Sequence, residues 1–185
     1  MTVECIERVC RKLADGDTDK ARRLLAEEMP VSARPTRARN YTEVEMLRLF
    51  RRDSFTCRYT GNRLILGAAL KLISAQCPEQ FPYDSHWRIG ACHQAYWDFT
   101  ATLDHVEAWS RSGPDSEDNW VTTSMTLNMQ MGNGAGRLPG PISDSQWDGM
   151  ARWFADFSDR NDVLLGSRNS SLRVWRRAVR TVYGF

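Results

Sequence analysis

The sequence contains no C-x-x-C pair, no long apolar run and no low-complexity segment. An odd number of cysteines without paired spacing argues against a disulfide framework, so we expect them to be reduced and mostly buried. The longest purely apolar runs span only a few residues, which excludes a transmembrane helix. With 42% hydrophobic and 26% charged residues, the composition is that of an ordinary globular protein. The cysteines are Cys5, Cys10, Cys57, Cys77 and Cys92.

The formal net charge of +2 is too weak to indicate nucleic acid by itself, so only its distribution along the chain is informative. After Asp162 the sequence has basic residues and no acid, whereas the segment 98–118 is its most acidic part. An acidic centre with basic ends is what a metal site within a phosphate-binding surface needs. The basic residues are Arg168, Arg173, Arg176, Arg177 and Arg180, and the acids are Asp98, Asp104, Glu107, Asp115, Glu117 and Asp118.

A chain of 185 residues is long enough for one compact domain, and we expect a single domain over 1–185. Within it we expect a helical part at 1–52, a core at 53–140 and C-terminal helices at 141–185 that pack on the core. The segment 1–16 reads as an amphipathic helix with acids as well as bases, so it resembles neither a signal peptide nor a transit peptide. We therefore expect a cytoplasmic protein without a membrane partner.

Apolar periodicity and capping residues predict that most of the chain is helical. Thr18 is expected to cap a short helix near the N-terminus. Thr42 and Glu45 form a capping box, which predicts a helix that runs to about Arg52. A further helix is predicted at 68–77, where Pro78 and Pro82 follow and end it.

Two short strands are predicted at 55–66, and two helices are predicted in the last third of the chain. Ser143 and Gln146 form a second capping box, which predicts that a helix begins there. Its inner face would carry Trp147, Met150, Phe154 and Phe157. The last helix would place Leu172, Trp175, Val179 and Val182 on one face and its arginines largely on the other.

The centre of the chain reads as strand, loop, strand and helix. Residues 98–106 have the aromatic and β-branched composition of a strand, and 120–122 form a second short strand. Residues 111–118 must be a loop, because Ser-Gly-Pro-Asp continues neither a helix nor a strand. Thr123 or Ser124 can then cap a helix. The expected fold class is α+β, with mostly helical structure around a small unit of short antiparallel strands.

Four polar residues stand at the ends of these central elements. Asp104 and His105 end the first strand, Asn119 begins the second, and Asn128 lies on the helix. An Asp-His pair alone means little, because at a strand end it is usually solvated or hydrogen-bonded. With the two asparagines, however, DHVEAWSRSGPDSEDNWVTTSMTLN resembles the ββα-metal motif of the HNH nuclease family.

The resemblance is close over residues 103–132. A fainter similarity to a group of uncharacterised bacterial HNH endonucleases extends through RDSFTCRYTG and the helix at Trp147, which would cover most of the chain. The resemblance implies that 53–140 is a nuclease core, with the ββα motif at about 98–134.

Physical chemistry and the resemblance assign the same roles to these residues. Phosphodiester hydrolysis needs a water deprotonated near neutral pH, and the unperturbed pKa of histidine suits that task, so His105 is the predicted general base. Mg²⁺ is typically held by one or two protein oxygens, which Asp104 and the amide oxygen of Asn128 would supply. Mn²⁺ or another transition metal is an alternative. Asn119, which resembles the middle asparagine of the family, is predicted to tie the loop ends together and so orient His105.

The chain departs from the family at the positions of a structural zinc. Many members carry two C-x-x-C pairs around the motif, whereas here Cys57 is near the first position with Thr60 in place of its partner. At the second position Ser124 and Leu127 stand where thiols would be, so no structural zinc is expected. Glu107 replaces a proline that is common after Asp-His-Val, and whether it joins the metal shell is left open.

Arginines are the candidate nucleic-acid contacts. Arg111 in the loop and Arg137 just after the motif helix are favoured by their position beside the site. Arg173, Arg176 and Arg177 lie on the polar face of the last helix, where DNA contact and a solvated face fit the pattern equally well.

The predicted function is a metal-dependent endonuclease acting on double-stranded DNA, in bacterial defence or mobile-element biology as the resemblance suggests. The alternative is a catalytically inactive DNA-binding or structural module with an HNH fold. A third interpretation, a helical regulator with an incidental Asp-His pair, predicts no strand pair around the loop. His86 and His93 are weaker candidates for substrate contact, because histidines in aromatic-rich segments are more often satisfied core or surface residues. A homodimer is compatible with cutting both strands of a duplex.

Overall fold

The computed structural model describes residues 3–29, 41–131, 138–161 and 170–185. The chain divides into two compact units, 1–38 and 39–185. Helices and a two-stranded antiparallel sheet make the fold α+β, which confirms the predicted class.

The N-terminal unit is a pair of helices, α1 (Val3–Ala14) and α2 (Thr18–Glu28). Its buried residues are Cys5, Val9 and Ala21. Asp17 is the N-cap of α2, since its carboxylate accepts the backbone N–H of Lys20 at 3.1 Å. The predicted cap at Thr18 was therefore wrong by one residue.

The C-terminal unit contains the remaining elements. They are α3 (Glu43–Arg52), α4 (Gly67–Gln76), α5 (Ala95–Phe99), β1 (Ala101–His105), β2 (Trp120–Ser124), α6 (Met125–Met131), α7 (Ala151–Arg160) and α8 (Ser170–Tyr183). Helix α3 packs against α8 and both strands, and α7 packs against α4 and α8. The core between them is built around Phe50, Phe55, Leu72, Phe154 and Val179.

Helix α3 begins at the predicted capping box. The Thr42 hydroxyl accepts the N–H of Glu45, and the Glu45 carboxylate accepts the N–H of Thr42 at 2.7 Å. These bonds satisfy two backbone donors that have no partner inside the helix. The helix ends at Arg52 as predicted, with Leu47 and Phe50 fully packed in the core.

Strands β1 and β2 pair in antiparallel register, with Ala101 opposite Ser124 and His105 opposite Trp120. The predicted first strand began too early, because Asp98 and Phe99 belong to helix α5. The two strands predicted at 55–66 were wrong, because single bridges replace them. Thr56 bridges Arg63, and Ile65 forms a parallel bridge with Thr100 beside β1.

The second predicted capping box does not start a helix. The Ser143 hydroxyl accepts the N–H of Ser145 in a local turn, and helix α7 begins only at Ala151. Gly149 explains the delay, because its φ is +63° and a Cβ there would lie 2.1 Å from a ring carbon of Phe55. The chain passes the Phe55 ring in a left-handed conformation that no helix contains.

Candidate active site

The central segment folds as strand, loop, strand and helix, in the order predicted. Two 3₁₀ turns, Trp109–Arg111 and Glu117–Asn119, lie within the loop that joins β1 to β2. Helix α6 follows β2 directly, and the Ser124 hydroxyl accepts the N–H of Leu127 at 3.2 Å, which caps the helix. The strand pair around the loop contradicts the interpretation as a purely helical regulator.

The ring of His105 is held inside this unit, with only 6% of its side chain exposed. Its Nε2 atom lies 2.9 Å from Oδ1 of Asp115, a residue of the loop. The indole Nε1 of Trp120, the cross-strand neighbour, lies 3.0 Å from the same oxygen and 3.2 Å from Nε2. Nε2 of His105, Oδ1 of Asp115 and Nε1 of Trp120 therefore lie within 3.2 Å of one another.

This geometry assigns the tautomer of neutral His105. A carboxylate oxygen only accepts hydrogen bonds, so the Nε2 atom of His105 must carry the proton shared with Asp115. The indole N–H of Trp120 then donates to the same carboxylate oxygen, and its 3.2 Å approach to the protonated Nε2 is a contact without a hydrogen bond. The lone pair of the neutral imidazole is left on Nδ1, where it can accept a proton.

Asn119 closes the base of the loop. Its side-chain oxygen accepts the N–H of Glu107 at 2.8 Å. Its side-chain N–H groups donate to the carbonyl oxygens of Glu107 at 3.0 Å and Pro114 at 2.8 Å. One buried amide thus ties the start and the middle of the loop to the start of β2, and Glu107 takes part through its backbone alone.

Asp104 and Asn128 lie on the other side of β1. One oxygen of the Asp104 carboxylate accepts the N–H of His105 at 2.9 Å, and the other accepts the hydroxyl of Tyr59 at 3.2 Å. Burial and the neighbouring Asp104 carboxylate raise the pKa of Tyr59 well above its ordinary value, so its hydroxyl also remains a donor at alkaline pH.

The amide nitrogen of Asn128 donates to the carbonyl of Leu103 at 3.1 Å and the hydroxyl of Thr102 at 3.3 Å. Thr102 and Asp104 are two residues apart on one strand, so their side chains share a face. The side-chain nitrogen of Asn128 bonds to β1, so the oxygen is the atom of this side chain that could bind a cation. One carboxylate and one amide oxygen on the same face suit a hard divalent ion.

The predicted residues therefore form two groups. The Asp104 side chain shares a face of β1 with Thr102, which Asn128 contacts, whereas the ring of His105 bonds to Asp115 and Trp120 on the other face. Alternation along the strand separates Asp104 from His105, because both still lie within the paired region. Within the described residues, no three His, Cys, Asp or Glu side chains cluster as a metal site.

The side chains at the positions where many HNH nucleases have zinc-binding thiols make hydrogen bonds here. The buried Sγ atom of Cys57 lies 3.5 Å from the hydroxyl of Thr123. Burial raises the pKa of the Cys57 thiol, but hydrogen bonds with the side chains of Thr60 and Thr123 outweigh this effect, so its pKa is lowered. Ser124 caps helix α6, so the residues that replace thiols have structural contacts here.

The predicted arginine contacts have different surroundings. Arg111 ends the 3₁₀ turn that begins at Trp109, whose ring centroid is 5.9 Å from that of His105. Arg173 and Arg177 are exposed on α8, whereas Arg176 is partly buried and pairs with Asp159 at 3.4 Å. Arg137 lies outside the described residues.

The two other histidines lie apart from this unit in sequence and contacts. The His93 ring stacks on Phe81 with centroids 4.3 Å apart, and its Nδ1 accepts the N–H of Ala95. His86 is exposed in a turn where its backbone N–H donates to Asp84.

Sequence reasoning missed Asp115, Tyr59 and a buried charge cluster around Asp53. Asp53 is fully buried, and its carboxylate accepts bonds from Arg52, Arg58 and the backbone N–H of Thr122. The signal for Asp53 was an acid directly after two arginines at a helix end. Asp115 had no such signal, because its contact with His105 depends on the path of the loop.

Comparison of the chain with family models, curated proteins and solved structures finds no match to any of them. Among the helices that the structure describes, none has the length and apolar character to cross a bilayer.

Proposed function

We propose that this chain is a metal-dependent HNH-type endonuclease that hydrolyses phosphodiester bonds of DNA, with His105 as the general base. The proposal rests chiefly on the contact between Asp115 and Nε2 of His105, within a strand, loop, strand and helix unit closed by Asn119. That contact leaves an unprotonated nitrogen on the residue that the sequence pattern selects as the base.

In this mechanism the residues of the chain act on the proton of the attacking water. Nδ1 of His105 accepts that proton, while Nε2 keeps its own proton in the bond to Asp115. The positive charge that forms on the imidazolium is stabilised by the Asp115 carboxylate next to it. Asn119 maintains the loop geometry that brings Asp115 to the ring.

Asp104 and the amide oxygen of Asn128 would hold a divalent cation, with Mg²⁺ as the expected ion and Mn²⁺ as an alternative. When bound, such an ion supplies charge stabilisation for the phosphate and the leaving oxygen. The hydroxyl of Tyr59 holds the Asp104 carboxylate in position. A phosphate served by both groups would lie across the end of β1, since Asp104 and His105 face opposite sides.

Supercoiled plasmid provides the direct test. Pure protein with Mg²⁺ or Mn²⁺ should nick or linearise it, and EDTA should stop the reaction. His105→Ala should lower the rate by about 10² to 10⁴-fold, the usual contribution of a positioned base. His86→Ala is the matched control, because His86 is exposed and distant in the chain. Cleavage that persists at the wild-type rate in His105→Ala would refute the assignment.

A catalytically inactive DNA-binding module is the second candidate. The low exposure of His105 favours it, because a base must reach a water molecule. This candidate predicts DNA binding without cleavage in any of the metals, so the same plasmid experiment separates the two functions.

A further inference from the structure

Helix α3 and the end of helix α8 enclose an open concavity of about 470 Å³. Its lining residues are Arg48, Arg51, Arg52, Thr181 and Val182. We call it the arginine pocket. Every charged side chain that lines it is a guanidinium, and the three arginines are spaced at i, i+3 and i+4, which puts them on one face of α3.

Two of these guanidinium groups are fixed by backbone carbonyls. Arg51 donates to the carbonyl oxygen of Val182 and lies over the ring of Tyr183, 5.0 Å from its centroid. Arg52 donates to the carbonyl oxygens of Glu117 at 3.0 Å and Trp120 at 2.7 Å. These bonds hold both cations in place and prevent them from moving apart.

Structural contacts account for Arg51 and Arg52, whereas the Arg48 side chain makes no hydrogen bond or ion pair with the part of the chain that the structure describes. Arg51 binds a carbonyl in the last turn of α8, where a cation is favourable, and Arg52 supports the start of β2 and pairs with buried Asp53. Arg48 is exposed one turn earlier, and its charge is felt by Glu45, whose pKa is lowered first by bonds from Thr42 and further by Arg48.

Arg52 shares its charge with Asp53, so the positive charge that an anion in the pocket would compensate is mainly that of Arg48 and Arg51. Guanidinium groups pair well with phosphate oxygens, because their planar N–H donors match phosphate geometry. The pocket is also linked to the candidate site. Arg52 bonds to the carbonyl of Trp120, whose indole contacts the ring of His105.

We infer that the arginine pocket binds phosphate groups of a nucleic-acid backbone. The choice of nucleic acid over free phosphate rests on the proposed function. The pocket differs from the surface formed by the arginines that the sequence selected, because it combines α3 with the C-terminal end of α8. It is connected to the candidate base through Trp120, which contacts both Arg52 and His105. It would hold the strand beside the scissile bond and fix its register without reading sequence.

The test measures the binding of duplex DNA by fluorescence anisotropy at several salt concentrations. EDTA is present throughout so that no cleavage occurs. Arg48→Ala should weaken binding severalfold and lower the slope of log K against log salt by about 0.9, the value for one lost phosphate contact. Arg48→Lys should keep the slope while losing part of the affinity. Arg22→Ala is the control, because it removes one exposed positive charge from the N-terminal unit.

Three outcomes would overturn the inference. They are unchanged binding in Arg48→Ala, equal weakening in Arg48→Ala and Arg22→Ala, and Arg48-dependent binding of inorganic phosphate without binding of DNA. The binding result is independent of catalysis. Arg48-dependent DNA binding by a protein that never cleaves plasmid would support the pocket and reject the nuclease, and cleavage with Arg48-independent binding would do the reverse.

Discussion

Asp115 reaches back from the loop to hydrogen-bond the ring of His105, with 2.9 Å between Oδ1 and Nε2. The bond fixes which ring nitrogen carries the proton, and it links the loop conformation to the chemistry available at the strand end. The indole of Trp120 supports the same carboxylate oxygen from the opposite strand. Loss of Asp115 should therefore change which ring nitrogen of His105 carries the proton, while the imidazole itself stays in place.

Replacement of Asp115 by alanine should lower plasmid cleavage by roughly 10² to 10⁴-fold, as expected when the carboxylate that orients a catalytic histidine is lost. The ¹⁵N NMR signals of the His105 ring at neutral pH should also change from the Nε2–H tautomer to a mixture, because the indole N–H of Trp120 can then donate to Nε2. Asp118→Ala is the control, since Asp118 is an exposed acid of the same loop. An unchanged tautomer in Asp115→Ala would contradict the role.

Replacement of Asp104 by alanine should weaken Mn²⁺ binding, measured by calorimetry or electron paramagnetic resonance, by roughly tenfold or more, because it removes the carboxylate ligand. Tyr59→Phe should weaken it by about tenfold, since partners that orient a ligand usually contribute 10- to 100-fold. Asp156→Ala removes an exposed carboxylate from α7 and should leave the affinity unchanged. Equal Mn²⁺ affinity in wild type and Asp104→Ala would exclude this metal site.

Local signals predicted the start of α3 but failed at α7, although the sequence pattern of a capping box precedes both helices. At Thr42 and Glu45 all participating atoms lie within one turn, so the sequence window contains the whole interaction. At Ser143 and Gln146 the decisive atom belongs to the Phe55 ring, which is distant in sequence. Helix termini set by tertiary packing cannot be read from a local pattern.

The candidate site, like the helix starts, could be predicted only in part from the sequence. The order of its elements follows from periodicity and turn chemistry, and the asparagine positions follow from the resemblance. The partners of His105 do not, because Asp115 lies in an irregular loop whose path depends on the three bonds made by Asn119. The separation of Asp104 from His105 depends on how far β1 continues, since alternation ends where strand pairing ends.

Gly149→Ala should destabilise the protein by about 2 kcal/mol or more in urea unfolding, because it adds a steric overlap with Phe55 to the cost of a positive φ. Gly61→Ala separates the steric cost from the cost of the positive φ. Gly61 has a φ of +76° with no atom within 4 Å of an added Cβ, so only the backbone cost of about 1 kcal/mol applies. Equal effects of the two substitutions would show that the Phe55 contact is not decisive.

Asp53→Ala should destabilise the fold by about 2 to 4 kcal/mol, because it removes the buried charged partner of Arg52 and of partly buried Arg58. It also removes the acceptor for the N–H of Thr122 in β2. Asp19→Ala, which breaks an exposed ion pair with Arg22, should change the free energy of unfolding by less than about 1 kcal/mol. Chemical denaturation of both variants measures the difference, and a loss below about 1 kcal/mol for Asp53→Ala would contradict the structural role.

The same cluster has a consequence for aggregation. The outward N–H of Thr122 binds Asp53, its carbonyl accepts the N–H of Arg58, and the carbonyl of Trp120 accepts a bond from Arg52. On the other strand the carbonyl of Leu103 is taken by Asn128. A strand from another molecule would have to displace these groups before it could extend the sheet. The two-stranded sheet is therefore protected on both sides against intermolecular β-pairing, the usual hazard of small sheets with open edges.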